Sequence, residues 1–273
     1  MLWKKARPSD NVNDTRQGKD ARKHTGKLFG AGLAAIALTG AVLHSTLNST
    51  PDEDQQLKFV QSVLGETEDT WTKLFAQTGR HYSPPTLVVF DNHMTSECGP
   101  ASAPFYCPSN QQVYLDLALF TNLEQRFSVV ADFARAYIIA HEIGHHVQLE
   151  LGLSEPFEQA LRDQKPVMGD GGLEVRAELQ ADCLAGVWAH HAQQRLDWLE
   201  PGDVEAALQA ATVFGDDNLQ SQASGQVRPE TFAHGTSAQR VKWFKSGFDT
   251  GRIEACDTFN TSNLQELPQA AIF

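Results

Sequence analysis

The sequence predicts an α+β fold, mostly helical, with a small β-sheet and one transmembrane helix ahead of it. Three observations lead there. Apolar residues recur at helical spacing through several long stretches of the 273-residue chain. Only two short runs, residues 87–90 and 112–117, have the β-branched or alternating character of strands. Residues 28–47 hold no Asp, Glu, Lys or Arg. Twenty residues of helix rise about 30 Å, the thickness of a hydrocarbon core.

Charge divides the chain. Residues 1–27 hold eight Lys/Arg and three Asp/Glu, whereas residues 48–273 hold fourteen and thirty-one. Lys23 and Lys27 abut the apolar run. The positive-inside rule then puts residues 1–27 in the cytoplasm as a basic head and the acidic body outside, a single-pass arrangement. The head is rich in Asn, Asp, Arg and Lys, which predicts disorder. A cleaved signal peptide fits less well, because the head is long and no small-x-small site follows the apolar run. The acidic body argues against nucleic acid as a partner. With 41% hydrophobic and 21% charged residues, the chain is not disordered as a whole.

The elements follow in order. Residues 48–56 read as a polar linker containing Pro51. From about residue 56 to 77, Leu57, Val60, Val63, Leu64, Trp71, Leu74 and Phe75 recur at helical spacing, with Gly65 as a weak point. Residues 87–90 follow Pro84-Pro85 as a strand, and residues 91–110 read as a Gly/Pro/Ser/Asn-rich loop. Val113, Leu115 and Leu117 share one face of a second strand. Residues 127–149 form a long helical pattern ended by Gly152. Residues 154–172, with Pro156, Pro166, Gly169, Gly171 and Gly172, read as a mobile connection and a potential lid. Residues 173–195 make a second long helix. Pro201-Gly202-Asp203 opens a third that ends at Gly215. Thr236 to Gln239 has capping-box form and opens a fourth, ending near Gly247. The body, residues 57–260, reads as one domain with a tail at 261–273.

The chemistry concentrates on the two long helices. In His141-Glu142-Ile143-Gly144-His145 the histidines are four apart, so they share one helix face. Both imidazoles can reach one zinc ion, and Glu142 beside them can take a proton from the water that zinc activates. Tyr137, Ile138, Ile139, Ala140 and Val147 flank the motif. Two histidines and a glutamate in such apolar company are costly without a partner such as a metal. The next helix carries Glu174, Glu178 and Asp182, an acidic stripe beside Leu173, Ala177, Ala181, Leu184 and Ala185. One of its carboxylates can complete the ligand set. Another, one turn on, can accept a hydrogen bond from a ligating imidazole. Helical phase alone leaves Glu174 and Glu178 both open as the third ligand.

HEIGHHVQ followed by RAELQADCLAGVWAHH resembles the bacterial "putative neutral zinc metallopeptidase" family. CGPASAPFYCPSNQQVYLDLALF, LEPGDVEAALQAATVFGDDNLQ, HGTSAQRVKWFKSGFDTG and ACDTF are similar to it as well, from about residue 57 to 259. The basic head and single apolar span fit too. The resemblance implies a zincin-like metallopeptidase domain, zinc as cofactor, and a protein or peptide as substrate. It also implies anchoring in the bacterial inner membrane with the domain on the periplasmic or extracellular side. ELQAD further resembles the Glu-x-x-x-Asp of thermolysin-like gluzincins, which implies Glu178 as third ligand and Asp182 as support for an imidazole. Ala177 and Ala181 flank Glu178 with side chains small enough for a close helix approach, and Glu174 sits nearer the Gly-rich start.

Four further groups complete the reading. His146 points about 100° away from His145 and reads as a surface or supporting residue; His190 and His191 read as the polar end of a helix. His234, just before the Thr236 cap, can donate a hydrogen bond to a developing oxyanion. Four cysteines allow three pairings. Cys98 and Cys107 bracket a loop with Gly99 and Pro100, an easy local closure, which leaves Cys183 for Cys256. An oxidising compartment permits both bonds. The substrate strand can add to the edge of residues 112–117. The alternative function is a membrane-anchored binding or scaffold module with a structural zinc site, which has no need of Glu142.

Overall fold

Helices form where the 3.6-residue apolar spacing is strongest, and glycines set how closely they pack. The computed structural model describes residues 1–16, 51–101, 103–118, 132–262 and 264–265. The first strand, β1, is Val12–Asp14, and helix α1 is Pro51–Gln77. α1 buries Phe59, Val60, Val63, Leu64, Trp71, Leu74 and Phe75, one apolar face. Gly65 does not weaken it. A Cβ there would collide with the backbone carbonyl of Arg7, so this glycine marks a chain crossing.

Next come β2 (Thr86–Phe90), the hairpin β3 (Met94–Ser96) and β4 (Gly99–Ala101), then β5 (Phe105–Cys107) and β6 (Gln112–Asp116). The main sheet has the order β1-β2-β6-β5. β1, β2 and β6 run parallel, and β5 is antiparallel to β6. The region expected as a loop at 91–110 therefore contains three short strands. They are too short and too rich in Gly and Pro to show alternation. β6 lies inside the sheet, so the free edge expected along residues 112–117 belongs instead to β5.

The helical layer is α2 (Asp132–Leu151), α3 (Glu155–Arg162), α4 (Leu173–Leu196), α5 (Asp203–Val213), α6 (Asp216–Ser224) and α7 (Ser237–Thr250). α2 and α4 cross where a Cβ on Gly144 would stand 2.8 Å from the Ala181 carbonyl oxygen. α4 and α7 cross on Gly186 and Gly247, whose added Cβ atoms would collide with the carbonyls of Phe244 and Cys183. Gly247 thus packs mid-helix, and α7 runs on to Gly251, which ends it in the left-handed region at φ 63°. Thr236 caps α7 with the reciprocal Thr/Gln239 bonds expected. α3 occupies the stretch read as a mobile connection. Its eight residues, with Pro156 in the first turn, are too few to establish a period. α6 was not foreseen for the same reason: nine mostly polar residues show no apolar face.

The N-terminal residues depart most from expectation. Residues 1–16 are part of the domain, not a disordered head. β1 pairs with β2 in register Val12 to Leu87, Asn13 to Val88 and Asp14 to Val89. Glu68 latches the approach: its Oε1 accepts from Ser9 Oγ at 2.6 Å and Asn11 Nδ2 at 2.7 Å, and its Oε2 from Arg7 at 2.8 Å. A three-residue strand with one apolar side chain carries no period of its own; the exposed edge of β2 selects it. The domain therefore includes residues 1–16 and the α1 residues before 57. β1 is a strand of the body's sheet, so residues 1–16 lie with the body. The expected transmembrane helix at 28–47 lies outside the described residues, as do residues 48–50 and most of the 261–273 tail. Among the described residues, no helix is long and apolar enough to cross a membrane.

Both expected disulfides are present: Cys98–Cys107, at a sequence separation of 9, and Cys183–Cys256, at a separation of 73. The second staples α4 to the 3-10 turn Ile253–Cys256 that follows α7.

Candidate metal centre

The crossing at Gly144 and Ala181 brings one turn of α2 against one turn of α4. His141 and His145 lie on α2, with Glu178 and Asp182 on α4. Glu178 Oε2 is 3.1 Å from His141 Nε2, and Oε1 is 3.3 Å from His145 Nε2. Each histidine spends its Nδ1–H elsewhere. His141 donates to Asp182 Oδ1 at 2.8 Å and His145 to Gln148 Oε1 at 2.9 Å. Both acceptors are oxygens, so each Nδ1 carries a proton, and Nε2, turned toward Glu178, is the atom left for a second proton or a metal ion.

These three donors fit a zinc ion. All lie within 4.8 Å of one another. Tetrahedral ligands at about 2.0–2.1 Å from zinc stand about 3.3 Å apart. Two imidazole nitrogens and one carboxylate, with a fourth position facing a cleft, make an open zinc site. Glu174 is outside this group, on the first turn of α4.

The electrostatics of the donors point the same way. Burial alone would push Glu178 up, but His145 and His141 outweigh it and hold Glu178 well below the usual carboxylate range. Burial alone would lower His141, yet Asp182 and Glu178 raise it to about 10. The cluster holds positive charge among its three donors, which a proton or a cation can supply. Burial raises Glu142, which makes it a better base than an exposed glutamate.

Glu142 lies in the wall of a cleft of about 670 Å³ that also contains His141, His145 and Glu178. The walls come from β5 (Phe105, Tyr106), α2 (Ile138, Leu149) and α3 (Phe157, Leu161), with Phe214, Leu219 and His234. His234 is half-exposed and aligned by Asp216. The Nδ1 to Oδ1 distance is 3.3 Å, and Asp216 Oδ2 accepts the backbone N–H of Ala233, His234 and Gly235 at 2.7, 2.7 and 3.1 Å. The hydrogen bond to Asp216, more than any other cause, raises the His234 pKa.

Three polar residues at the centre escape sequence reasoning. Gln148, three residues after His145, was within reach of helical phase; it is clamped in turn by bonds from its amide to Ala177 O and Gln180 Oε1. Tyr137 and Arg240 bond Asp182 from another turn and another helix; Tyr137, four residues before His141, shares the motif's helix face, whereas nothing local in the sequence marks Arg240. His146 is neither at the surface nor at the metal centre. It is fully buried, donates Nε2–H to Ser83 O at 2.7 Å and accepts from Tyr106 at 2.9 Å, so it ties α2 to β5. His190 and His191 donate to the carbonyls of Phe248 and Gly251 near the end of α7.

Fold and site together define a helical domain with a His-His-Glu group that could hold a metal ion in the wall of a cleft. The chain belongs to the family described as "putative neutral zinc metallopeptidase", whose model matches residues 39–259. It is 41% identical over 288 residues to the uncharacterized protein YpfJ of Escherichia coli K12, covering 96% of this chain and all of that one. It is 40% identical over 220 residues to the uncharacterized protein Rv2575 of Mycobacterium tuberculosis, covering 76% of this chain and 73% of the relative. No solved structure matches the chain.

Proposed function

We propose that this protein is a zinc-dependent peptidase that hydrolyses peptide bonds in a protein or peptide substrate. The observation behind this reading is the convergence of His141 Nε2, His145 Nε2 and the Glu178 carboxylate beside a buried Glu142, at the base of an open cleft. Zinc, when bound by these three side chains, supplies Lewis acidity to the scissile carbonyl and to water. The protein's own residues do the rest. Glu142 takes the proton from the attacking water and delivers it to the leaving amine. Asp182 and Gln148 hold the two imidazoles in the tautomer that leaves Nε2 free. His234 donates to the carbonyl oxygen as negative charge develops on it. Its Nδ1 already faces Asp216, so the donor is Nε2–H of the protonated ring. The substrate backbone runs along the free edge of β5, which satisfies its hydrogen bonds. A purely structural zinc site would need neither the base nor the cleft.

The test is a cleavage screen on peptides with the zinc-loaded and chelator-stripped full chain. Hydrolysis that disappears on stripping and returns with one equivalent of zinc supports the reading. Zinc-loaded protein that cleaves nothing across a diverse peptide library contradicts it.

We also propose that residues 28–47 attach the protein to the membrane. Residues 1–16 and the body then lie on one side of it, because β1 is a strand of the body's sheet.

A further inference from the structure

We propose that Arg240 is a positioning residue of the metal centre, acting on His141 through Asp182. The inference rests on the zinc reading above and names a device within it. Asp182 is completely buried. Its Oδ1 accepts three hydrogen bonds: Tyr137 Oη at 2.5 Å, His141 Nδ1 at 2.8 Å and Arg240 Nη2 at 2.9 Å. Its Oδ2 accepts Arg240 Nε at 2.8 Å. The guanidinium therefore grips the carboxylate with both prongs of its fork, which fixes the orientation of the carboxylate plane as well as its charge. That plane decides where Oδ1 stands, and Oδ1 decides how the His141 ring is turned. Without the guanidinium, the buried carboxylate would keep donors on Oδ1 from Tyr137 and His141 but lose the Arg240 Nε donor on Oδ2 and a permanent counter-charge.

Arg240 reaches further. Its Nη2 also donates to Tyr137 Oη at 3.1 Å, and its Nη1 to the Phe214 carbonyl at 3.1 Å. Phe214 lies two residues before Asp216, the residue that aligns His234. One side chain thus ties the metal-binding half of the cleft to the half that carries His234. The α4–α7 crossing on Gly186 and Gly247 holds Arg240 on α7 against Asp182 on α4. Lysine could supply the charge but not the two-pronged geometry.

The experiment measures zinc affinity, not turnover, on the full chain by competition with a chromophoric chelator. It uses wild type, Arg240→Met, Arg240→Lys, Asp182→Asn and the double variant Arg240→Met/Asp182→Asn. Circular dichroism and intact disulfides confirm that each is folded. Arg240→Met is expected to weaken zinc binding by roughly 10–100-fold, the usual effect of removing support behind a ligating imidazole. Arg240→Lys should fall between it and wild type, which keeps the test available if the methionine variant fails to fold. The double variant should bind no more weakly than Asp182→Asn alone, because the Arg240 fork grips Asp182, and its Nη2, although 3.5 Å from His141 Nδ1, meets a nitrogen that already donates its proton to Asp182. The visible spectrum of the cobalt-substituted protein should change in Arg240→Lys as the His141 ring turns. Folded Arg240 variants with wild-type zinc affinity would overturn the inference and leave the zinc reading standing. So would losses that multiply in the double variant. Wild-type protein that takes up no zinc would overturn both.

Discussion

A Cβ atom on Gly144 would stand 2.8 Å from the carbonyl oxygen of Ala181, so the two helices that bear the candidate metal ligands meet backbone to backbone at this point. This crossing is what lets Glu178 reach the His141/His145 face of α2. Alanine at 144 gains about 1 kcal/mol of helix propensity over glycine. Overpacking a contact that only backbone can relieve costs about 1–3 kcal/mol. Gly144→Ala is therefore expected to lower thermal stability and to weaken zinc binding together. Thermal unfolding with and without zinc checks this. A variant more stable than wild type, with zinc affinity intact, would show that the helices have room to spare.

The second prediction concerns pH. Asp216 raises the His234 pKa above its ordinary value, and only the protonated ring can donate from Nε2 while Nδ1 faces Asp216. Activity should then fall on the alkaline side as His234 loses its proton. Asp216→Asn removes the largest cause of the raised value, so that limb should move to lower pH. The sign for stability is the same. A raised histidine contributes stability below its unfolded value near 6.5, and that contribution is lost as pH rises through the folded value. A pH profile of kcat/KM for wild type and variant measures the shift. An alkaline limb that stays in place would remove His234 from the role proposed.

Membrane topology supplies the third. Residues 1–16 are joined to β2 and to Glu68, so in the membrane-attached arrangement proposed above both flanks of the apolar run share one side. Asp10→Cys and Glu230→Cys place single thiols on the exposed surface of each part. In intact cells, a membrane-impermeant maleimide should label both or neither. Labelling of one with protection of the other would mean that β1 leaves the sheet in the membrane-bound protein.

The long disulfide gives the fourth. Cys183–Cys256 closes a loop with a separation of 73 residues. Replacing both cysteines with serine should cost about 2–5 kcal/mol of stability, read as a lower denaturant midpoint. Replacing Cys98 and Cys107, 9 residues apart, should cost less, because a short loop restricts the unfolded chain less. Equal losses from the two pairs would contradict the loop-entropy explanation.

Much of this fold and most of the site residues can be read in the sequence, for a physical reason. α2 and α4 are long and mostly buried, so an extended apolar stretch without breakers marks each as a helix. The ligand spacing of four on one helix is itself geometry. The capping box at Thr236 is local and needs only four residues to declare itself. What could not be read is what depends on distant partners. β1 is a strand because β2 offers an edge, and Arg240 belongs to the metal centre because Gly186 and Gly247 let α7 lie on α4. Gly65 and Gly247 look like helix weaknesses in the sequence, yet each marks a place where another chain segment touches the helix.

The most direct measurement is zinc content and peptide hydrolysis of Glu142→Gln beside wild type. Glu142 is buried in the cleft but is outside the three-donor group. The glutamine variant should keep about one zinc per chain, while hydrolysis falls by roughly 10²–10⁴-fold, the contribution of a positioned general base. Undiminished hydrolysis in this variant would contradict the peptidase assignment. Loss of the metal would also contradict it, since Glu142 would then be a ligand and the base would have to be sought elsewhere.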